Sequence, residues 1–438
     1  MTRKLLVLTL ALILALGAMP LVAHADDPIV IKFWGGVPAE YGPSQVVERF
    51  NQEYADKGIQ AEYVRYVNDP TGNMKLETTL LAGGEIDVYM TYSLTNLVKR
   101  GEGGMAVELS GMLKEAGFDM ISEQGELTKP FIFGDGKIYG IPTKFENYFV
   151  LANVEMFKEA GIELPLNGWT YDQFRETAKK LTRGEGQDKV YGMFWNSEQE
   201  IFRPSMIAQT VLGDDYYYTD GGKASNFDNP EFITLNQMIQ DMMFTDGSTI
   251  THTDDVTQQL TVESTFLAGK AAMSLGVWTI RSIKDLEKFP HDFTTAYLPV
   301  PVRDPAAAKY TVSDMTVGDH ICMSADTKHP KEALEFMLWY TRGGMVEGTP
   351  YGRVPLNKAI PNETKLEAYM KNGEGILEPE SVAKFLNIPD NLPVNTITTK
   401  MAEIQKVFNE ALEKIYTNQN DAATALKEAK LLADEFLK

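Results

Sequence analysis

The sequence predicts an α/β protein of two lobes, each with a sheet flanked by helices. A chain of 438 residues is too long for one compact core. Strand and helix patterns alternate between residues 29 and 91, which is typical of a parallel, doubly wound sheet. No repeat, heptad array or low-complexity tether separates the halves, so we expect several strands to join the lobes.

The first 25 residues are predicted to be a signal peptide, outside the fold. Arg3 and Lys4 precede an apolar run over 5–18, and Ala23-His24-Ala25 forms a small-residue cleavage site. The run is shorter than the about 20 apolar residues of a membrane span. We expect cleavage after Ala25 and a periplasmic or extracellular protein that begins at Asp26.

Acidic residues dominate the charge. The chain has 61 Asp and Glu against 41 Lys and Arg, a net charge of −20, which becomes −22 without Arg3 and Lys4. Nucleic-acid binding needs clustered cations, and anionic lipid attracts the same residues. The composition therefore argues against both partners and against direct membrane insertion.

Cys322 is the single cysteine, so the exported chain contains no internal disulfide. Its position in the alternating run 319–324 predicts a small buried thiol. A lipid-anchored protein needs a cysteine at the cleavage site, and none stands there. We therefore expect a free, monomeric protein without a lipid anchor.

The first region supplies the candidate binding edge. Strands are predicted over 29–33, 59–64 and 86–91, with helices that Ser44 and Asp69 begin as N-caps. Ligands of such sheets meet the carboxyl ends of the strands. Trp34 follows the first strand and Tyr92 and Ser93 follow the third, so a binding site is expected there.

Helices dominate the second region, with one further strand. Thr170 and Gln173 form a capping box, and a strand is predicted within 292–302. Apolar periodicity predicts helices that begin at Pro330, at Met401 and at Asp421.

Motifs of known chemistry are absent. Ser274 resembles a hydrolase nucleophile but lacks the first glycine of the elbow, so it is predicted to be an ordinary strand residue. His252, His291, His320 and His329 have no zinc-ligand spacing, and the acidic stretches 213–222 and 252–255 lack the spacing of a calcium loop. No phosphate-binding glycine loop occurs, and no cofactor or metal is expected.

Seven segments in this order resemble the extracellular solute-binding proteins of ABC importers, the sugar-binding family 1. They are "IVIKFWGG", "GKIYGIPTKFENYFVLANVEMFKEAGI", "WTYDQF", "FLAGKAAMSLGVW", "AYLPVP", "HPKEALEFMLWY" and "DAATALKEAKLLADEFL". The resemblance covers essentially the whole mature chain. It implies a two-lobed periplasmic-binding-protein fold of type II, closure by hinge motion, and delivery of ligand to a membrane permease.

The resemblance also implies how the chain divides. The expected N-lobe is 26–142 plus 293–328, and the expected C-lobe is 150–290 plus 330–438. Hinge crossings are expected at 143–149, 291–292 and 329. Gram-positive members usually carry an anchoring cysteine, so its absence favours a Gram-negative periplasm or an unanchored member.

Eight residues are candidates for ligand binding by this resemblance. Trp278 follows the strand "AAMSLGVW" and is expected to stack on a sugar ring, although a core plug is the alternative. Trp34 has the same two interpretations. Glu146 matches a sugar-binding carboxylate, and the other candidates, each with interlobe packing as the alternative, are Tyr92, Ser93, Trp195, Arg281 and Arg353. Phe336, Trp339 and Tyr340 are expected in the core.

Carbohydrate, and an oligosaccharide in particular, is the favoured ligand because aromatic residues are abundant. Two alternatives stay open at this point. The first alternative is a secreted carbohydrate-active enzyme with a carboxylate pair. The second is a binding protein for another solute, such as a peptide or a polyamine.

Overall fold

The computed structural model describes residues 28–197, 200–213, 216–276, 279–308, 313–386 and 400–438; only backbone is described for 146–147 and 313–316. The expected signal peptide and Trp278 lie outside the described residues. In the described part of the chain, no helix is long and apolar enough to cross a membrane.

The strands are β1 Ile29–Gly35, β2 Ile59–Arg65, β3 Val88–Thr91, β4 Ile141–Asn153, β5 Tyr218–Thr219, β6 Ala224–Ser225, β7 Met273–Gly276, β8 Thr295–Leu298, β9 Ser313–Met323 and β10 Val354–Pro355. The helices are α1 Pro43–Glu53, α2 Pro70–Leu81, α3 Leu94–Glu102, α4 Ser110–Glu115, α5 Met120–Gln124, α6 Val154–Glu159, α7 Tyr171–Leu181, α8 Gln209–Leu212, α9 Pro230–Phe244, α10 His252–Gln258, α11 Ile280–Lys284, α12 Pro330–Arg342, α13 Asn362–Met370, α14 Pro379–Leu386, α15 Met401–Tyr416 and α16 Ala422–Phe436.

The parallel sheet that the first region predicts is present. β1 lies between β2 and β3 and is parallel to both, with Phe33 opposite Tyr63 and Val88. β9 then joins β3 in the antiparallel sense, and the order across the sheet is β10-β4-β9-β3-β1-β2. Because β1, β2 and β3 run the same way, their carboxyl ends lie at one edge.

A single strand, β4, runs from one lobe into the other. Its first half pairs with β9 and β10, and its second half pairs with β7 and β8. The register of β4 on β9 shifts between Glu146 and Tyr148, where the strand leaves the first lobe. Beyond that point, Phe149 and Leu151 pack into one core while Val150 and Ala152 pack into another, so helices cover both faces of the second sheet.

The structure divides the lobes differently from the sequence expectation. β8 pairs with the second-lobe half of β4, and Phe293 and Leu298 pack in second-lobe cores. α12 instead packs on the first lobe through Phe336 and Met337. Among the described residues, the chain passes between the two sheets at β4, at β9 and around β10. Proline and histidine breaks in the sequence mark turns, but they do not report which half of β4 a distant strand joins.

Two of the three predicted helix N-caps are confirmed. Asp69 accepts a hydrogen bond from Gly72 N at 2.6 Å, and Thr170 and Gln173 form the predicted capping box. The predicted cap at Ser44 is wrong: the N-cap of α1 is Gly42, two residues earlier, whose φ of 115° turns the chain into Pro43. That φ suits glycine, and Pro43 provides a helical φ at the first position.

Two predictions about small buried residues are confirmed. Cys322 is fully buried in β9, and burial raises the pKa of its thiol to about 12. Ser274 is a buried residue inside β7. Phe336 and Tyr340 lie in the first core as expected, and Trp339 packs at its margin, where its Nε1 donates to Glu53.

Candidate ligand-binding site

Aromatic side chains follow or end three neighbouring strands at the carboxyl edge of the first sheet. Trp34 lies near the end of β1, opposite Val64 and Tyr89. Tyr66 comes directly after β2, and Tyr92 directly after β3. The rings of Tyr66 and Tyr92 are 6.3 Å apart. The edge at which a ligand is expected is therefore lined with rings.

Trp34 is half-buried, and its indole N–H is enclosed without a hydrogen-bond acceptor among the residues that the structure describes. Buried donors of this kind are rare in folded proteins. Trp34 packs only at the margin of the first core. Its ring is therefore partly exposed, whereas its N–H would reach an acceptor on a ligand only after the groups that enclose it move.

Hydrogen bonds hold the two tyrosines of this edge in place. Tyr92 Oη accepts from Gly36 N at 2.6 Å, and Tyr66 Oη donates to Met90 O at 2.8 Å. Burial raises the pKa of Tyr92 well above its ordinary value, and Asp319 adds to this effect. A Cβ at Gly36 would lie 2.9 Å from the Tyr92 ring, so the glycine lets the β1 loop approach that ring.

Three charged side chains meet where the chain crosses between the lobes. Asp319 on β9 accepts from Arg353 Nε at 3.1 Å and lies 3.5 Å from Lys144 Nζ on β4. Asp319 and Lys144 are about 5% exposed. Burial is the largest influence and acts against the charge of Arg353, but Asp319 together with Tyr92, Tyr340 and Tyr63 outweighs it, so the pKa of Arg353 rises. Buried charges are costly unless paired, so this cluster fixes the crossing segments against one another.

The cavity beside this cluster is small. Its volume is about 20 Å³, and it is lined by Tyr63, Tyr92, Asp319 and Arg353 together with apolar residues of the first lobe. A space of that size accommodates one water. A sugar does not fit there, so ligand entry requires a wider separation or a site on the exposed side of the aromatic edge.

Arg281 extends from the second lobe to the first. It lies in α11, and its guanidinium carbon is 5.4 Å from the centroid of the Tyr41 ring, just before α1. Burial lowers the pKa of Arg281, and Arg353 lowers it further. The Tyr41 ring is in turn 5.8 Å from that of Tyr351. A cation and two rings thus meet at the junction of the lobes.

The remaining candidates are placed elsewhere. Ser93 is exposed and caps α3, accepting from Asn96 N at 3.2 Å. Trp195 is 1% exposed in the second core, 5.5 Å from the Phe174 ring. Glu146 lies in β4 opposite Thr316, and its side chain is outside the described part of the chain, as is Trp278. The structure therefore brings Tyr92 and Arg353 to one small cavity, places Arg281 near Arg353, and places Trp34 at the same sheet edge as Tyr92.

Four residues of this region were missed by sequence reasoning. They are Tyr41, Tyr66, Lys144 and Asp319. The last two are charged residues within strands that also contain Glu146, Asp314 and His320, so their charge alone does not single them out. Tyr41 and Tyr66 follow predicted elements directly, but many surface tyrosines do so as well.

A serine–histidine contact is present in the second lobe, away from these residues. Ser197 Oγ is 2.8 Å from His252 Nδ1 and donates to Asp255 at 3.1 Å. All three residues are at most 5% exposed. In a catalytic triad the acid orients the histidine, whereas Asp255 here competes with His252 for the serine proton. The arrangement therefore lacks the geometry of a nucleophile.

Two lobes joined by shared strands, with aromatic side chains at one sheet edge near their junction, are the architecture of a solute-binding protein. The chain belongs to the bacterial extracellular solute-binding protein family, whose profile matches residues 38–343. A lipoprotein of Streptomyces antibioticus is 25% identical over 352 residues, which are 78% of this chain and 73% of the relative.

Solved structures share the fold at low identity. A sugar transporter from Rhizobium etli, in an open conformation, superposes with a TM-score of 0.72 at 19% identity, covering 94% of this chain and 100% of the other. An ABC substrate-binding protein from Listeria monocytogenes, in complex with cycloalternan, gives 0.71 at 17% identity, covering 94% and 99%. The predicted family and fold are therefore confirmed.

Proposed function

We propose that this protein binds a carbohydrate, an oligosaccharide in particular, between its two lobes and delivers it to the permease of an ABC importer. Family membership supports binding and transport, but it leaves the solute open. The proposal includes an exported, monomeric protein whose lobes close on the ligand, since each lobe gains contacts only when they meet.

The aromatic edge of the first sheet is the observation that carries the carbohydrate assignment. Pyranose rings present C–H groups on their faces, which suit an aromatic face, and hydroxyls at their rims. Trp34 offers both a partly exposed ring and an N–H that is without an acceptor among the described residues. A sugar hydroxyl oxygen would satisfy that donor.

Two further residues complete the proposed site. Trp278, two residues after the end of β7 in the sequence, is proposed as the stacking platform of the second lobe, and Glu146 as a carboxylate that accepts from sugar hydroxyls. Both are proposed from the resemblance of their segments to the family. Two structures of the same fold support a carbohydrate ligand, since one is a sugar transporter and another was solved with cycloalternan.

A secreted enzyme is the second class that the sequence leaves open. The buried contact between Ser197 and His252 does not favour it, because a substrate has no access to a serine that is 2% exposed. Product analysis separates the two classes directly. A binding protein returns its sugar intact after long incubation, whereas an enzyme releases shorter products.

Calorimetry with a panel of neutral and charged mono- to tetrasaccharides tests the proposal, with Trp34→Ala as the site variant. We expect at least one sugar to bind and Trp34→Ala to weaken it by roughly 5- to 150-fold, the effect of losing about 1–3 kcal/mol. Trp339→Ala is the matched control, since that indole packs at the margin of the same core and contacts Glu53 instead. A protein that binds no sugar, or equal losses in both variants, would contradict the proposal.

A further inference from the structure

Arg281 has no counter-ion at the junction of the lobes. Among the residues that the structure describes, it makes no ion pair and no hydrogen bond, and its one close contact of this kind is the Tyr41 ring. The Glu263 carboxylate, which acts on Arg281 at longer range, accepts a hydrogen bond from Ser282 at 2.5 Å. A guanidinium stays protonated in proteins, and the N–H groups of Arg281 have no direct acceptor among the described residues.

The nearby carboxylate is already shared. Asp319 contacts both Arg353 and Lys144, and Arg353 is close enough to disfavour the charge of Arg281. Glu263 and Asp319 offset the charge of Arg281 only at longer range. Partly buried charge of one sign is unfavourable for folding alone.

The charge of Arg281 is opposite in sign to the net charge of the protein. The chain has a net charge of −20, so composition alone does not predict a guanidinium without a direct partner among the described residues of this junction. A positive site in an acidic protein attracts an anionic group to one place, while the surrounding surface repels it from others.

We propose that the carbohydrate ligand carries an oxyanion, either the carboxylate of a uronic acid or a phosphate ester, and that Arg281 binds it. This inference rests on the carbohydrate function proposed above. A guanidinium donates two parallel hydrogen bonds to either group. Stacking on Tyr41 leaves the N–H edge of Arg281 free for those bonds.

The test compares three sets of sugars by calorimetry: cellobiose, maltose and galactobiose; cellobiouronate and digalacturonate; and the 6′-phosphates of cellobiose and maltose. We expect one acidic sugar to bind at least 10-fold more tightly than its neutral counterpart. The set that binds identifies the carboxylate or the phosphate. Added salt should weaken the binding of the acidic sugar and leave the affinity for a neutral sugar unchanged.

Arg281→Gln should weaken the acidic sugar by roughly 10- to 100-fold, the range for hydrogen bonds to a charged group, and should remove its advantage over the neutral one. Arg183→Gln is the control, because Arg183 pairs with Glu159 on the exposed surface of the second lobe. Arg281→Lys retains charge without the planar fork and should lose part of the preference.

Neutral sugars that bind as tightly as acidic ones would overturn the inference and leave the carbohydrate function standing. A merely structural contact with Tyr41 would weaken both kinds of sugar equally in Arg281→Gln, which would also overturn it. If no sugar of any set binds, the carbohydrate function itself fails, and the inference fails with it. Should Arg281→Gln not fold, acid preference that is unchanged in Arg281→Lys and insensitive to salt would count against the proposal.

Discussion

Arg353 Nε donates to Asp319 Oδ2 at 3.1 Å, and this contact joins two of the segments that cross between the lobes. Lys144, on the third segment, lies 3.5 Å from Oδ1 of the same carboxylate. Each crossing segment thus contributes one charged side chain to this cluster. Asp319 has a φ of 50°, a conformation that Asp and Asn adopt more readily than other residues with a side chain.

Asp319→Asn should destabilise the protein. The substitution keeps the shape and the tolerated backbone conformation but removes the carboxylate that pairs with the largely buried Arg353 and contacts Lys144, a change that typically costs about 3–5 kcal/mol. Urea unfolding of the wild type and the variant measures the difference. Asp326→Asn, at an exposed position of the same lobe, is the control. A free energy of unfolding that changes no more than in the control would contradict the role of the cluster.

Lys284 should make stability depend on pH. Burial lowers the pKa of this amine to about 8, and its Nζ donates to the carbonyls of Pro350 and Lys371 at 3.0 and 2.9 Å. Between about pH 8 and the ordinary lysine value near 10.4, the unfolded chain binds more protons than the folded one. Stability contributed by this group therefore rises with pH across that window.

The measurement compares the wild type with Lys284→Met by urea unfolding at several pH values from 7 to 10.5. The wild type should gain on the variant as the pH rises, by at most about 1.4 kcal/mol per pH unit. Lys331→Met, at an exposed position in the first turn of α12, should run parallel to the wild type. A constant difference between wild type and Lys284→Met would disprove the buried charge.

Trp278→Ala distinguishes the platform from the core plug. As a platform, the indole is only partly buried without ligand, so its loss should weaken sugar binding by about 1–3 kcal/mol and lower the melting temperature little. A core plug instead predicts a loss of about 3–5 kcal/mol in folding stability. Trp278→Phe should retain much of the affinity, because a smaller ring can still stack. An Ala variant that melts far lower and binds normally would refute the platform.

The exported protein should begin at Asp26 and carry no lipid. Ala23-His24-Ala25 is the expected cleavage site, and the residue directly after it is Asp26 rather than a cysteine. Intact-mass analysis of protein recovered from the producing bacterium tests both points. A diacylglyceryl adduct, or another N-terminus, would show that the processing differs from this expectation.

Much of the local structure follows from the sequence alone. The caps at Asp69 and Thr170 depend on residues three positions apart, so spacing reveals them. The parallel direction of β1, β2 and β3 follows from the alternation of strands and helices. That direction in turn places Trp34 and Tyr92 at one edge of the sheet. Cys322 is recognisable as buried because it lies in the alternating run 319–324.

Only the tertiary structure decides which distant segments meet. β8 and α12 each join the other lobe from the one expected, because strand pairing and helix packing depend on shapes that periodicity does not record. The contacts of Arg281 with Tyr41 and of Asp319 with Arg353 join residues that are 240 and 34 positions apart. Their charges act on one another only once the lobes bring them within a few ångströms and exclude water, and no spacing along the chain encodes that distance.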